Sequence, residues 1–363
     1  MAQRRELLPR FAISNLDKKL DLIDKLFRTQ NLEDSEFKML LELKDENKIK
    51  NLLEKADIKR REIYGDEIYI RGLIEISNFC KNDCLYCGIR KSNNKVSRYR
   101  LNKEEIILSA MHAYSLGFRT FVIQGGEDNY FSDDILVEIL TSLKSKFDDI
   151  AITLSLGERS EKSYQKLYDA GANRYLLRHE TATKSHYEKL HPNTMSYENR
   201  MKCLQNLRKI GYQTGCGVMV GSPYQTTENL LSDIRFIQNF RPHMVGIGPY
   251  LPHKETPFAN MSVPKPNLVL IFLAIVRLIL PEALLPATTA LFTMGVGFDG
   301  LCGGCNVIMP NVSPDKANDK YLLYDNKAKL KADKEFLIDL EEKVKKLRYK
   351  IAISKGDSKL SDE

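Results

Sequence analysis

The chain lacks any uninterrupted apolar run long enough to cross a membrane. Its longest, Leu268 to Leu280 (LVLIFLAIVRLIL), has 13 residues, carries Arg277 and lies between Pro266 and Pro281, whereas a spanning helix needs about 20. The run therefore reads as a buried core helix. The opening residues, Met1 to Glu6, hold no apolar stretch of the kind that heads a secretory leader. With seven cysteines, an odd number, this argues for reduced thiols and a cytoplasmic protein, or one of an organelle matrix if the source is eukaryotic. Long blocks of like charge are also missing. The net charge of +7 sits on lysine-rich faces mixed with acids, which reads as solvated surface and argues against nucleic-acid binding.

What is present is chemistry concentrated in one loop. Cys80, Cys84 and Cys87 stand in the run Cys80-Lys81-Asn82-Asp83-Cys84-Leu85-Tyr86-Cys87. Three thiolates at this spacing can hold three irons of a [4Fe–4S] cluster, since soft sulfur is the usual ligand of iron–sulfur centres. The fourth iron then stays open to chelate a small molecule. The alternative is structural zinc, which normally closes its tetrahedron with four ligands. No second cysteine pair lies nearby, and the nearest downstream histidine, His112, falls on a predicted helix. A disulfide does not suit a reducing compartment.

At 363 residues and 43% hydrophobic content, one large α/β barrel or two average domains are possible. Residues 1 to about 66 read as a helical extension. Leu16, Leu20, Ile23 and Leu26 recur at helical spacing, and a second segment runs from Leu40 to about Arg61. From residue 67 to 312 short apolar strands alternate with amphipathic helices. The predicted strands are 68–76, 120–123, 150–154, 174–177, 213–220, 244–247, 285–288 and 306–309. The predicted helices are 103–116, 133–146, 161–170, 183–189, 196–210, 226–239 and 267–280. Gly117, Gly171 and Gly211 follow three of these helices, as C-terminal caps commonly do. This alternation implies a parallel sheet, most simply a (β/α)8 TIM-type barrel. An open doubly wound sheet would want a glycine-rich turn after the first strand, where the cysteine loop stands instead. Residues 313–363 read as a lysine-rich helical tail, helical over 331–350 and frayed from Ser354.

In such barrels the site lies at the C-terminal strand ends. These ends are polar here: Gln124-Gly125-Gly126-Glu127-Asp128, Thr153-Leu154-Ser155, Arg178-His179-Glu180-Thr181, Val220-Gly221-Ser222 and Thr288-Thr289. Arg178 and Glu180 share a strand face and could pair with each other. Arg200, at a helix start, reads equally as a solvated charge. His179 alternates away and reads as structural.

Together these residues bring out a resemblance. The cysteine loop, with Tyr86 before the last cysteine, and Gly125-Gly126-Glu127 resemble the two signatures of the radical S-adenosylmethionine (SAM) superfamily. The stretches NRYLLRHETA (173–182), MVGIGPYLPHKETP (244–257) and PATTA (286–290) narrow it to the HydE-type maturases of [FeFe]-hydrogenase, relatives of biotin synthase, over roughly residues 65 to 315. The resemblance implies an enzyme that reductively cleaves SAM to a 5′-deoxyadenosyl radical. Its substrate would be a cysteine-bound Fe(CO)2(CN) complex, with partner maturases and an electron donor. It implies that Cys80, Cys84 and Cys87 hold the cluster and that Tyr86 covers it. Gly126 and Glu127 would meet the SAM amino group, Glu180 its ribose or amino end, and Arg200 its carboxylate. Met219 and Ile247 would flank the adenine, while Arg178, Thr153, Thr288 and Thr289 would line the substrate cavity.

Methylornithine synthase and biotin synthase are the alternative enzymes. A non-catalytic iron–sulfur scaffold is the alternative of another class, but it would not need Glu127, Glu180 and Arg200. In biotin synthase a barrel cysteine holds a second cluster. Its place falls here on Gly215, one residue before Cys216, and a one-residue slip turns the thiol away from the cavity. With no cysteine after Cys305, the second C-terminal cluster of some relatives is expected to be absent. Cys302 and Cys305 form a C-x2-C pair that reads as redox-active or, more simply, as two small buried residues.

Overall fold

The computed structural model describes residues 21–361. Three helices come first: α1 (Leu22–Thr29), α2 (Asp34–Leu41) and α3 (Glu46–Tyr64). The predicted second segment is thus split, because Asp45 caps α3 by accepting from the Asn47 and Lys48 amides at 2.9 and 3.2 Å. Leu16 and Leu20 lie outside the described residues.

The strands and helices of the main body follow in alternation: β1 (Glu67–Ile70), β2 (Gly72–Ser77), α4 (Lys103–Ser115), β3 (Thr120–Gly125), α5 (Asp133–Lys146), β4 (Ala151–Ser155), α6 (Glu161–Asp169), β5 (Arg174–Leu176), α7 (Lys184–Leu190), α8 (Tyr197–Ile210), β6 (Gln213–Val220), α9 (Thr227–Phe240), β7 (Met244–Pro249), α10 (Pro266–Ile279), β8 (Pro286–Ala287), α11 (Thr289–Thr293), α12 (Gly297–Cys302) and β9 (Val307–Ile308). Among the described residues every strand-to-strand ladder is parallel, in the order β2-β3-β4-β5-β6-β7. A second sheet, β1-β9-β8, closes the ring. Leu73 bridges to Asn311, and Met244 bridges to Leu284. Amides of Tyr69, Arg71 and Leu73 donate in step to Asn306, Ile308 and Pro310 carbonyls at 2.9 Å. With β1 and β2 counted as one interrupted strand, eight parallel strands therefore enclose a lumen, as the alternation of periods predicts.

The single strand expected over 68–76 is broken at Arg71. That residue turns its guanidinium into the lower end of the barrel, near Arg174. The chain's end also departs from expectation. After α13 (Asp315–Asn318) and α14 (Lys334–Lys346), residues Lys350–Ala352 form β10, a parallel partner of β1. The described residues beyond it, to 361, are packed rather than frayed. They cross the N-terminal mouth of the barrel, where Arg174 donates to the Lys355 carbonyl at 2.9 Å and to Asp357 at 2.6 Å. Leu360 is buried. A buried arginine needs carbonyl or carboxylate partners, and among the described residues the tail supplies them there.

The apolar run 268–280 becomes α10, buried from Val269 to Ile279. It is apolar all round because α3 covers its outer side while β6 and β7 lie beneath. Arg277 is fully buried in it. It donates to the Gly304 and Ala283 carbonyls at 2.8 Å, to Asn306 Oδ1 at 3.2 Å and to the Pro281 carbonyl. Burial pushes its pKa down to about 10, still charged at neutral pH. Replacing Arg277 with methionine strands several buried acceptors. We expect a loss of roughly 3 kcal/mol in unfolding free energy, read from the midpoint of denaturant unfolding.

Candidate functional site

The cysteine loop connects β2 to α4 across the C-terminal mouth. Its shape is imposed by arginines. Arg98 donates to the Ile89, Arg90 and Asn93 carbonyls at 2.8, 2.6 and 3.1 Å, and Arg90 forks onto Asp83 at 2.7 and 2.6 Å. The loop is tied to three distant segments. The Lys81 amide donates to the Glu127 carbonyl at 2.9 Å, the Leu85 amide to Leu190 at 3.0 Å and the Gly88 amide to Leu323 at 2.8 Å.

Cys80, Cys84 and Cys87 are unoxidised and partly buried. Burial pushes all three thiols up, Cys87 to about 12, and each thiol is raised further by a neighbouring one or by Glu127. Bare thiolates would repel in this pocket, so what suits it is a bound cationic group with affinity for sulfur. The donor set therefore fits an iron–sulfur cluster. Gly126, one residue past β3, presses against the loop. A Cβ there would lie 2.2 Å from the Phe79 carbonyl oxygen and 2.8 Å from Cys80 Cβ. Gly126→Ala is expected to push the loop outward and reduce the iron retained after reconstitution, with the far-ultraviolet circular dichroism unchanged.

Beside the cysteines lies a ring of charge. Arg200, in the first turn of α8, donates from Nε to Glu158 at 2.6 Å and from Nη1 to the Arg178 carbonyl at 2.7 Å. Its Nη2 stands 3.7 Å from Glu127. Glu127 accepts from the Glu158 amide at 3.0 Å and pairs with Lys81 at 3.2 Å. Gly157 makes room for Glu127. Its φ is +75°, and a Cβ there would lie 2.3 Å from the Glu127 carboxyl carbon. Burial works against the Arg200 charge, but Tyr187, Glu158, Glu127 and Tyr86 outweigh it and raise its pKa. Arg200 is thus a fixed cation, not a solvated one. Glu158, which sequence reasoning did not single out, is the residue that aims it. In the sequence it stands four residues past the predicted strand 150–154, in the loop where a barrel site is expected.

Tyr86 is buried within electrostatic reach of Cys84, Cys87 and Glu180. Its hydroxyl meets His191 Nε2 at 3.2 Å, and Met219 packs in the same apolar cluster. Burial holds His191 neutral, its pKa down at about 3. Arg178 and Glu180 do pair, at 3.0 Å, and Arg178 also donates to the Val218 carbonyl at 2.7 Å. Arg178 with Thr288 and Thr289 faces a lumen cavity of about 110 Å³, which Gln124, Ser155 and Tyr324 also line.

Two expected residues fall elsewhere. Thr153 lies a layer deeper and Ser155, two residues on along the same face, takes its place in the lining. Ile247 is packed in the core, because Gly246 and Gly248 take the lumen face of β7 beside Leu176 and Arg178. It can face the site only through its backbone, and its carbonyl accepts from Thr288 at 3.3 Å. Lys327, from the strap between α13 and α14, also reaches this cavity and pairs with the buried Glu75. Cys216 points away from the lumen, since Gly215 and Gly217 face Leu176 and Arg178. Cys305 is buried and Cys302 half-buried, on the outer side near Arg277 and Tyr349.

Comparison with known proteins gives this geometry its context. The model of the radical SAM superfamily matches residues 74–237, which begin within β2 and carry all three cysteines, Glu127, Glu180 and Arg200. The chain is 42% identical over 310 residues to the [FeFe] hydrogenase maturase subunit HydE of Thermotoga maritima, covering 85% of this chain and 88% of that protein. It is 27% identical to the 3-methylornithine synthase of Methanosarcina acetivorans, covering 88% and 90%. Its fold matches the crystal structure of methylornithine synthase (PylB) with a TM-score of 0.81 at 24% identity, over 92% of this chain and 97% of the other. Radical SAM enzymes work with a [4Fe–4S] cluster and SAM, the group the thiol pocket fits. The chain belongs to the radical SAM superfamily and, within it, to the HydE-type [FeFe] hydrogenase maturases.

Proposed function

We propose that this protein acts in assembling the active-site cofactor of [FeFe]-hydrogenase, on a cysteine-bound Fe(CO)2(CN) precursor supplied by a partner maturase in the cytoplasm. The observation that carries this reading is adjacency. The thiol loop, the Lys81–Glu127–Arg200–Glu158 ring and the Arg178–threonine cavity follow one another from rim to lumen.

Bound by Cys80, Cys84 and Cys87, the cluster would supply the electron for reductive cleavage of SAM to methionine and a 5′-deoxyadenosyl radical. The chain's residues do the rest. The Glu127 carboxylate, with the backbone of Gly126, accepts the SAM ammonium in place of Lys81. Arg200, already oriented by Glu158, turns its Nη2 from Glu127 to the SAM carboxylate. Tyr86 and Met219 give the adenine an apolar wall, joined by the Ile247 backbone, and Glu180 takes the ribose or amino end. Below them Arg178, Thr288 and Thr289 donate to the anionic groups of the substrate, in a lumen that excludes water and so confines the radical. Ser155 fills the role expected of Thr153.

The test is anaerobic. The reconstituted, reduced protein is given SAM with and without the cysteine-bound iron complex, and 5′-deoxyadenosine is assayed by chromatography. Stimulation by the iron complex is expected. A reconstituted cluster protein that neither binds nor cleaves SAM would leave only the scaffold reading.

A further inference from the structure

Behind the Arg178-His179-Glu180-Thr181 loop lies a buried acid that the chemistry above does not use. Asp233 sits on the sheet-facing side of α9, among Leu230, Ile234 and Ile237, and is fully buried. An isolated carboxylate in such a stripe is costly and persists only when partnered. Its nearest partners among the described residues belong to the loop that carries Glu180, with His186 of α7 a more distant charge. Oδ1 accepts from the Ala182 amide and stands 3.7 Å from His179 Nε2. Oδ2 has no hydrogen-bond partner among the described residues. His179 is equally buried, wedged between Asp233 and the Phe236 ring at 4.6 Å. Tyr197 closes the clamp by donating to the Ala182 carbonyl at 2.8 Å.

The loop needs holding because Glu180 is strained. Its φ is +64°, in the left-handed region that a non-glycine residue adopts only when its surroundings enforce it. On the strand side the enforcement is visible. The Glu180 amide donates to the Gly217 carbonyl at 2.9 Å, and its carbonyl accepts from the Met219 amide at 3.1 Å. Asp233 supplies it on the other side, two residues further on.

We propose that Asp233, with His179, is a positioning residue that sets the left-handed backbone of Glu180 and so aims its carboxylate at bound SAM. This rests on the reading of Glu180 as a SAM contact. Strain of this kind is stored where geometry matters, and it relaxes when one restraint is removed.

The experiment measures SAM affinity of the reconstituted protein by equilibrium dialysis, alongside iron content and a thermal midpoint. Asp233→Leu is expected to weaken SAM binding about tenfold, or roughly 1.4 kcal/mol, with iron content unchanged. Asp233→Asn keeps the acceptor for Ala182 and should restore most of the affinity. Combined with Glu180→Gln, the leucine change should add nothing further, since both act through one carboxylate. Additive losses, or unaltered affinity in Asp233→Leu while Glu180→Gln binds weakly, would overturn the proposal alone. Unaltered affinity in Glu180→Gln would overturn it together with the SAM role of Glu180. Should the leucine variant not fold, Asp233→Ser, which leaves room for a water, takes its place with the same outcomes.

Discussion

Cys84→Ala abolishes 5′-deoxyadenosine formation: the rate with SAM and reductant is expected to fall on the order of a thousandfold, about 4 kcal/mol in barrier. Cys84 is central to the loop. Its sulfur lies 3.6 Å from Met195 Sδ, and its thiol is pushed up by burial and then by Cys87 and Cys80. Removing it leaves two thiolates for a cluster that needs three, so iron per chain and activity should drop together. Arg90–Asp83 and Arg98 pin the loop without help from any thiol, so the fold should survive and the thermal midpoint should stay near that of the unaltered chain without iron. A Cys84→Ala protein that retains its cluster and cleaves SAM would remove the thiol loop from the mechanism.

Arg178→Met separates two meanings of one residue. Arg178 both pairs with Glu180 at 3.0 Å and faces the cavity with Thr288. If pairing were its whole role, the variant would disturb Glu180 and weaken SAM. As a substrate contact, it should leave SAM affinity within a factor of about two and weaken the iron complex. A charge-assisted hydrogen bond contributes about 1.5–3 kcal/mol, or roughly 10- to 150-fold in kcat/KM for that substrate. The measurement is 5′-deoxyadenosine formation against iron-complex concentration at saturating SAM. A raised SAM requirement with unchanged dependence on the complex would return Arg178 to a purely structural pairing.

The two variants bear on residues of very different visibility. The cysteine loop is local: its spacing is written in eight consecutive residues, and no distant element can alter it. The barrel was legible for a related reason. Strand and helix periods are properties of short windows, so all eight predicted strands have counterparts, and α5 spans the expected residues. Where expectation failed, a long-range contact decided. Residues 350–352 pair with β1, about 280 positions earlier, and nothing local distinguishes them from the end of a lysine-rich helix. The Ile247 side chain, expected to flank the adenine, packs in the core because the register puts two glycines, Gly246 and Gly248, on the lumen side.

By itself, the sequence determined the order of strands and helices, the thiol loop and the polar strand ends, because each depends on neighbours within a turn or two. Tertiary structure alone decided that Glu158 aims Arg200, that Ser155 and not Thr153 meets the cavity, that Lys327 reaches the lumen from the C-terminal strap, and that Asp233 backs Glu180. These pairings join residues tens to hundreds of positions apart. They exist only once a closed ring of parallel strands sets each strand's height and each side chain's face, which no local period encodes.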